Sequence, residues 1–186
     1  MSSTSSLGSG RKTGIFVQMG SPLYRLLNQI NDAAKAGLDL IAIGMAVALP
    51  AICASLAMEN GRAQRDEYKD WCAANLTSQK FTGITPDQLY SWRCGVLHQG
   101  RFDDIRHGGL SRVIFVPPGG AKITDCNVRG AYLYGVVEFC RNMSDAAFQW
   151  FETHKEDAVV QRNAERLMQY YPNGLPGYVV GTTVVA

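Results

Sequence analysis

The chain has 186 residues, of which 46% are hydrophobic and 18% are charged, and its formal net charge is +2 at pH 7. This length and composition favour one globular domain with a substantial hydrophobic core, and they exclude a mostly disordered chain. The small net charge excludes a global basic field, so any binding to nucleic acid must depend on a local cluster of charges.

The first 20 residues are rich in serine and glycine, which is typical of a disordered leader. We therefore expect a single helical domain over residues 21–186. The five cysteines form no CxxC pair and have apolar neighbours, which indicates reduced, mostly buried thiols in a cytoplasmic protein. Cysteine and histidine pairs at the spacing of zinc ligands are absent from the sequence, so we expect no metal and no other cofactor.

Three helices are predicted in the first part of the domain. The first begins at Ser21-Pro22 and fades near Gly37. The second covers residues 38–58, with Pro50 expected to kink or split it. The third is more polar and runs from about residue 63 to residue 76.

The second of these helices has nineteen consecutive uncharged residues, 40–58, which is about the length that spans a bilayer. Six of the nineteen are alanine, Asp39 precedes them directly, and no basic cluster marks a cytoplasmic side. We interpret the segment as the central helix of a bundle. A membrane-associated protein is the less favoured alternative.

The fourth predicted helix is the most clearly delimited one. Thr85-Pro86-Asp87 combines an N-cap hydroxyl, a proline at the first helical position and an acid in the first turn, and Gly100 is a good stop. Arg93 lies in the middle of its apolar stripe, although arginine is rarely buried without a partner. The other members of the stripe are Leu89, Tyr90, Val96 and Leu97.

Beyond this helix the pattern changes twice. Residues 112–116 predict a short strand, and a helical period returns at about residue 128, as one helix or as two joined near residues 142–144. A last helix is predicted over about 156–171, and the β-prone tail at 178–185 is expected to pair with the strand at 112–116. The predicted fold class is thus all-α, a bundle of about five to six helices with a short β appendage near residues 112–116 and 178–185.

Arg93 and His98 are candidate catalytic residues. On a regular helix, side chains five residues apart point about 140° away from each other, so the two cannot meet from adjacent turns of an ideal helix. They could converge if the helix bends or frays near its end, or if two copies of it meet in a symmetric dimer. The dimer is favoured because small residues, Ser91, Cys94 and Gly95, share the face of His98.

An imidazole beside a fixed guanidinium suits attack of a ribose 2′-OH on the adjacent phosphodiester, because the histidine moves protons and the arginine stabilises developing charge. Such a reaction needs no metal. The surrounding window, residues 93–112, holds four arginines and two histidines against two aspartates. Its other basic residues are candidate RNA contacts: Arg101, Arg106, His107 and Arg112.

An Arg-x4-6-His motif late in a helix of a small all-α protein resembles the HEPN superfamily. The phrase RCGVLHQGR, residues 93–101, is similar to the motif of HEPN-like proteins from prokaryotic defence and mobile elements. The resemblance implies a homodimer whose motif helices form a shared cleft, with Arg93 and His98 carrying metal-independent ribonuclease activity of the toxin or antiviral type. An antitoxin-like protein would be a further partner. Many active members have a polar residue after the arginine, often asparagine, where this chain has Cys94.

Other interpretations of the same residues stay open. The protein could be a catalytically inactive HEPN-like binding or assembly module. Arg93 could be a structural residue paired with Glu138 or Glu152, because buried charges usually have partners. His98 could simply cap the end of its helix. Trp92 is expected to pack in the core or an interface, with base stacking as the alternative.

Overall fold

The computed structural model describes residues 21–76, 80–81, 83–102, 112–119 and 126–186. Within these ranges the protein is mostly helical, with six helices and seven short strands. The helices are α1 (Pro22–Lys35), α2 (Asp39–Ala57), α3 (Arg65–Asn75), α4 (Pro86–Gln99), α5 (Val136–His154) and α6 (Ala158–Ala164). The strands are β1 (Arg112–Val116), β2 (Cys126–Val128), β3 (Ala131–Gly135), β4 (Tyr170–Tyr171), β5 (Gly174–Leu175), β6 (Val179–Val180) and β7 (Val184–Val185). The predicted leader, residues 1–20, lies outside the described residues.

Helix α2 is the centre of the bundle and packs against α1, α3, α4, α5 and α6. It is long and apolar enough to cross a membrane, but 56% of its apolar window is buried inside the protein. This burial supports the interpretation of α2 as a core helix. Pro50 lies inside α2 without splitting it, because the surrounding helices bury that turn and favour the helical conformation.

The end of α2 is held by a side chain from α6. The Nδ2 group of the buried Asn163 donates to the carbonyl of Leu56 at 3.0 Å and to the carbonyl of Met58 at 2.7 Å. These carbonyls belong to the last turn of a helix and the residue after it, where helical partners run out. Asn163 therefore caps α2 from a distance of more than 100 residues in the sequence.

A three-stranded sheet in the order β1-β3-β2 replaces the helix start predicted near residue 128. Strand β3 pairs in parallel with β1 and antiparallel with β2. Arg129 and Gly130 join β2 to β3 with φ of 52° and 81°, the two positive values that a type I′ hairpin turn requires. Because of this turn, no helix begins near residue 128 as predicted. Helix α5 begins only at Val136 and then runs unbroken to His154.

The C-terminal part also differs from the prediction. Helix α6 ends at Ala164, far short of residue 171, and Tyr170 already lies in a strand. The tail does not pair with residues 112–116, and among the described residues β1 pairs only with β3. Instead β4 pairs with β7 and β5 pairs with β6, which makes one nested hairpin of the chain end. The guanidinium of Arg25 on α1 lies 4.3 Å from the ring centroid of Tyr170 and anchors this hairpin.

Candidate functional site

Helix α4 has the bounds that its capping residues predict. The hydroxyl of Thr85 accepts a hydrogen bond from the amide of Gln88 at 3.2 Å, and the Gln88 side chain accepts from the amide of Thr85 at 2.8 Å. This reciprocal capping box satisfies two amides that a helix start leaves unpaired. Gly100 ends the helix in the left-handed region at φ 66°.

Leu89 of the predicted stripe is buried on α4, and Tyr90 and Val96 are half-buried against the core, but the stripe does not continue to Leu97. Trp92 is only 2% exposed, as expected for core packing, whereas Leu97 is 41% exposed. The ring of Tyr132 in β3 meets Trp92 edge-on at 6.3 Å, and the Tyr132 hydroxyl donates to the carbonyl of Gly83 just before α4. Because Trp92 turns towards the sheet, the end of α4 that holds Leu97 faces solvent.

The structure brings Arg93 and His98 together within a single chain. The Nη1 atom of Arg93 lies 3.3 Å from the Nε2 atom of His98, and α4 stays helical through Gln99. The prediction that the two cannot meet on one straight helix is therefore wrong. It considered the directions in which the side chains leave the backbone, whereas the long arginine side chain reaches along the helix surface and spans the gap.

This contact limits which tautomer of the imidazole can take part in a hydrogen bond. A guanidinium can only donate hydrogen bonds, so a hydrogen bond across this distance requires Nε2 of His98 as the acceptor and the ring proton on Nδ1. His98 is exposed in the last turn of α4, whereas Arg93 is half-buried. The imidazole thus lies at the solvent-exposed helix end, with the half-buried guanidinium against its Nε2 atom. The carbonyls at the end of α4 accept from backbone amides of Gly100 and Arg101.

Within the described part of the chain, the Arg93 guanidinium has only weak or neutral partners. Its Nη1 atom lies 3.9 Å from the sulfur of Cys94, and its Nε atom is buried without a hydrogen-bond acceptor. Glu138 pairs with Arg141 at 3.7 Å and Glu152 pairs with Lys155 at 2.9 Å. Neither of the two carboxylates considered for Arg93 is its partner.

The small-residue face of α4 is covered by the chain itself at Gly95. A Cβ atom at this position would lie 2.4 Å from the carbonyl oxygen of Arg101, and the amide of Arg101 donates to the carbonyl of Gly95 at 3.2 Å. Phe102 then packs on Phe115 of β1, with 5.2 Å between ring centroids. Gly95 does allow the close approach of a backbone, as expected, but the backbone is that of the same chain.

One of the four candidate RNA contacts can be placed with its side chain. Arg101 is exposed directly after α4, at the same end of the helix as His98, and its Nε donates to the side chain of Gln99 at 2.9 Å. Arg106 and His107 lie outside the described residues. The backbone of Arg112 begins β1, but its side chain is not among the described ones.

An exposed apolar patch lies beside the pair, and the sequence did not reveal it. We call it the α2–α4 patch and define it as Leu40, Ile41 and Leu97, all exposed. A Cβ atom at Gly44, one turn after Leu40 and Ile41, would lie 3.9 Å from Leu97, which joins the two helices at this place. Because α2 is apolar on all sides, no sequence pattern could show which end remains uncovered.

A guanidinium beside an exposed imidazole is able to stabilise negative charge and move a proton at the same point. Arg93 and His98 are two groups of this kind, and Arg101 places a second cation at the same helix end. The chain matches none of the protein-family models, curated proteins and solved structures with which it was compared.

Proposed function

We propose that the protein is a HEPN-type, metal-independent endoribonuclease in which Arg93 and His98 act together on one phosphodiester of RNA. The observation that carries this proposal is the 3.3 Å contact between Nη1 of Arg93 and Nε2 of His98. A hydrogen bond across this contact requires Nε2 without a proton, and the guanidinium lies within one side-chain movement of any anion that reaches the imidazole.

The reaction follows from these two groups. An RNA phosphate would attract the guanidinium away from the neutral Nε2 atom, because hydrogen bonds to an anion are stronger than those to a neutral acceptor. The freed Nε2 of His98 then accepts the proton of the 2′-OH. The 2′-oxygen attacks phosphorus, the bond to the 5′-oxygen breaks, the leaving 5′-oxygen takes a proton from solvent water, and the protonated His98 returns its proton to solvent. Arg93 stabilises the charge on the phosphate oxygens, and the product ends in a 2′,3′-cyclic phosphate.

We further propose that the six helices form the all-α domain of this family and that the strands are an appendage to it. The support is the position of α2, which packs against all five other helices, whereas the C-terminal hairpin is anchored mainly through Tyr170. In this proposal the motif helix is an integral part of the bundle. Its outer end, with His98, remains accessible to a large substrate.

A homodimer is part of the proposal, with the α2–α4 patch as its contact surface. Exposed apolar patches on globular proteins mark interaction sites. This patch contains Leu97, the residue directly before His98, so a second copy seated there would bring two Arg93–His98 pairs close together. The surface near Gly95 is less suitable, because Arg101 and Phe102 already cover it.

A catalytically inactive binding module is the second candidate function. The observation that favours it is Cys94, whose sulfur lies near Nη1 of Arg93 and is only a weak hydrogen-bond acceptor. Such a module would use Arg93 to bind an anionic partner, which the uncompensated guanidinium permits, without any proton transfer by His98.

The decisive assay is RNA cleavage by the purified protein in the presence of EDTA, with analysis of the product ends. We expect 2′,3′-cyclic phosphate ends, and we expect His98→Gln to abolish cleavage while the circular dichroism spectrum stays unchanged. His154→Gln is the matched control, because His154 also ends a helix but lies against Trp150, with Nδ1 2.7 Å from its carbonyl oxygen. Cleavage that requires a divalent metal, or full activity of His98→Gln, would overturn the proposal. Absence of cleavage together with Arg93-dependent partner binding would favour the inactive module.

A further inference from the structure

Tyr68 on α3 joins three helices at one buried atom. Its side chain is only 1% exposed, and its hydroxyl lies 3.0 Å from the carbonyl oxygen of Val47 on α2 and 3.3 Å from that of Leu89 on α4. A tyrosine hydroxyl has a single proton, so the two carbonyls share it as donor. Burial raises the pKa of Tyr68 well above its ordinary value, so the group remains a donor at any neutral pH.

Both carbonyls belong to turns that matter for the site. In an α-helix the carbonyl of Leu89 accepts the amide of Arg93, four residues on, so Tyr68 bonds to the turn that ends at the catalytic arginine. On α2, Pro50 has no amide to offer to the carbonyl of Ala46, the residue before Val47. The Tyr68 hydroxyl therefore bonds to α2 beside the turn in which Pro50 removes a backbone hydrogen bond, and it connects that turn to α4.

A second path leads from the same ring to the motif. The ring of Tyr68 meets the ring of Tyr90 on α4 edge-on, with centroids 5.4 Å apart and planes at 71°. Burial and a hydrogen bond with Cys94 raise the pKa of Tyr90. The sulfur of Cys94 also lies 3.9 Å from Nη1 of Arg93. The hydroxyl and the ring of Tyr68 thus both support the turn between Leu89 and Arg93.

We propose that Tyr68 is a positioning residue, which fixes α4 against α2 so that the guanidinium of Arg93 stays within reach of His98 and of the substrate phosphate. The kinetic part of this inference rests on the proposed ribonuclease function, whereas the geometric part does not. Small displacements of a catalytic group can cost about 10²-fold in rate, so one lost hydrogen bond at this place has a measurable effect.

The variant Tyr68→Phe keeps the ring and its contact with Tyr90 and removes only the hydroxyl. We expect it to fold, to keep KM within about twofold, and to lose roughly 10- to 100-fold in kcat. Tyr132→Phe is the matched control. It also removes a hydroxyl that donates to a backbone carbonyl, that of Gly83, but this bond does not touch the turn between Leu89 and Arg93.

The geometric test uses the ¹⁵N NMR signal of the His98 imidazole. This signal reports whether Nε2 accepts a hydrogen bond, and its measurement does not require a catalytically active protein. In Tyr68→Phe we expect this signal to move towards its position in Arg93→Gln, and in Tyr132→Phe we expect it to stay as in wild type. A Tyr68→Phe protein with unchanged His98 signal and unchanged kcat would overturn the inference.

Two further outcomes are equally decisive. If wild type cuts no RNA but the His98 signal moves in Tyr68→Phe, the ribonuclease proposal fails and the positioning role of Tyr68 stands. If Tyr68→Phe does not fold, Tyr90→Leu and Tyr90→Phe take its place, because the first removes the ring that contacts Tyr68 and the second removes only the hydroxyl. A His98 signal that moves in Tyr90→Leu and not in Tyr90→Phe supports the positioning role, and a signal that moves in neither variant, or equally in both, contradicts it.

Discussion

At the scale of single residues, the guanidinium of Arg93 has an unusual set of partners. A half-buried cation is normally paired with a carboxylate, yet this one lies beside a neutral imidazole nitrogen and a sulfur, with its Nε atom unpaired among the described residues. Residues that break a local rule without compensation are expected at functional sites. The weak partners leave the cation available to an anion.

The planar guanidinium should be required, and not only the charge. Lysine carries a compact cation and has no rigid planar fork of two parallel N–H groups for a phosphate, so we expect Arg93→Lys to lower kcat for RNA cleavage by about 10²-fold. Arg101→Lys is the control and should change kcat by no more than a few fold, because Arg101 is exposed and lies beside the reacting pair. An Arg93→Lys protein with the wild-type kcat would show that only local positive charge matters.

Part of this site was accessible from the sequence and part was not. The cap at Thr85, the stop at Gly100 and the spacing of Arg93 and His98 single out the pair. Their contact was missed because helical angles describe where side chains leave the backbone and not how far an arginine reaches. The contacts of Tyr68 could not be predicted, because the sequence pattern of a buried tyrosine in an amphipathic helix does not depend on which carbonyls accept its hydroxyl proton.

At the scale of helices, the two interior glycines Gly44 and Gly95 should respond in opposite ways to the same substitution. Alanine favours a helix interior over glycine by about 1 kcal/mol. At Gly44 the new Cβ would meet Val96 at an ordinary 3.7 Å, so we expect Gly44→Ala to raise the free energy of unfolding slightly. At Gly95 it would lie 2.4 Å from the carbonyl of Arg101, so Gly95→Ala should lower stability and displace residues 101–102. Thermal unfolding of both variants checks this, and a stabilised Gly95→Ala would contradict the fold at that turn.

The junction of α3 and α4 should depend on pH. Hydrogen bonds from Arg65 at 3.1 Å and Lys69 at 3.2 Å hold the pKa of Asp87 below its ordinary value of 3.8. A carboxylate with a lowered pKa stabilises the fold above its unfolded-state pKa, and this contribution is lost as the pH falls through the folded-state pKa. The effect should be small, because the carboxylate is exposed and screened by salt.

We therefore expect Asp87→Asn to lower Tm at pH 7 and low salt, and the difference from wild type to disappear below the folded-state pKa of Asp87. Asp32→Asn is the control, since Asp32 pairs only with Lys35 in its own helix and bridges no two elements. Melting curves of the three proteins measure this difference in Tm from roughly pH 2, near the lower limit of carboxyl titration, up to pH 7. A difference between Asp87→Asn and wild type that persists at the acid end would refute the linkage.

Helices with strong local signals were predicted well, and elements decided by tertiary pairing were not. Helices α1, α3 and α4 each have a proline start, a capping box or a glycine stop near the predicted bounds, and α2 follows its uncharged run. Strand β3 was predicted as helix because its apolar residues fit both periods, and only the turn at Arg129-Gly130 distinguishes them. Helix α6 was predicted too long because the pairing of β4 with β7 overrides the helical pattern after Ala164.

At the scale of the whole molecule, the α2–α4 patch predicts self-association. Leu40 is 80% exposed in this patch, and a lysine there would place a charge in the proposed contact surface. We expect wild type to sediment as a dimer, and Leu40→Lys to sediment as a monomer with an unchanged circular dichroism spectrum. Met168→Lys is the matched control, because Met168 is 71% exposed but lies beyond α6 and outside the patch. A dimeric Leu40→Lys protein would place the interface elsewhere, and a monomeric wild type would remove it.

The central claim is that Arg93 and His98 act as one catalytic unit, and the most direct test is the rate of RNA cleavage in EDTA by Arg93→Gln, His98→Gln and the double variant. General acid–base catalysis contributes typically 10²–10⁴-fold, so each single variant should lose about that much. Because groups that act as a unit are not additive, the double variant should be only a few fold slower than either single variant. A double variant that loses the product of the two single-variant factors would contradict the claim, as would cleavage by the single variants at the wild-type rate.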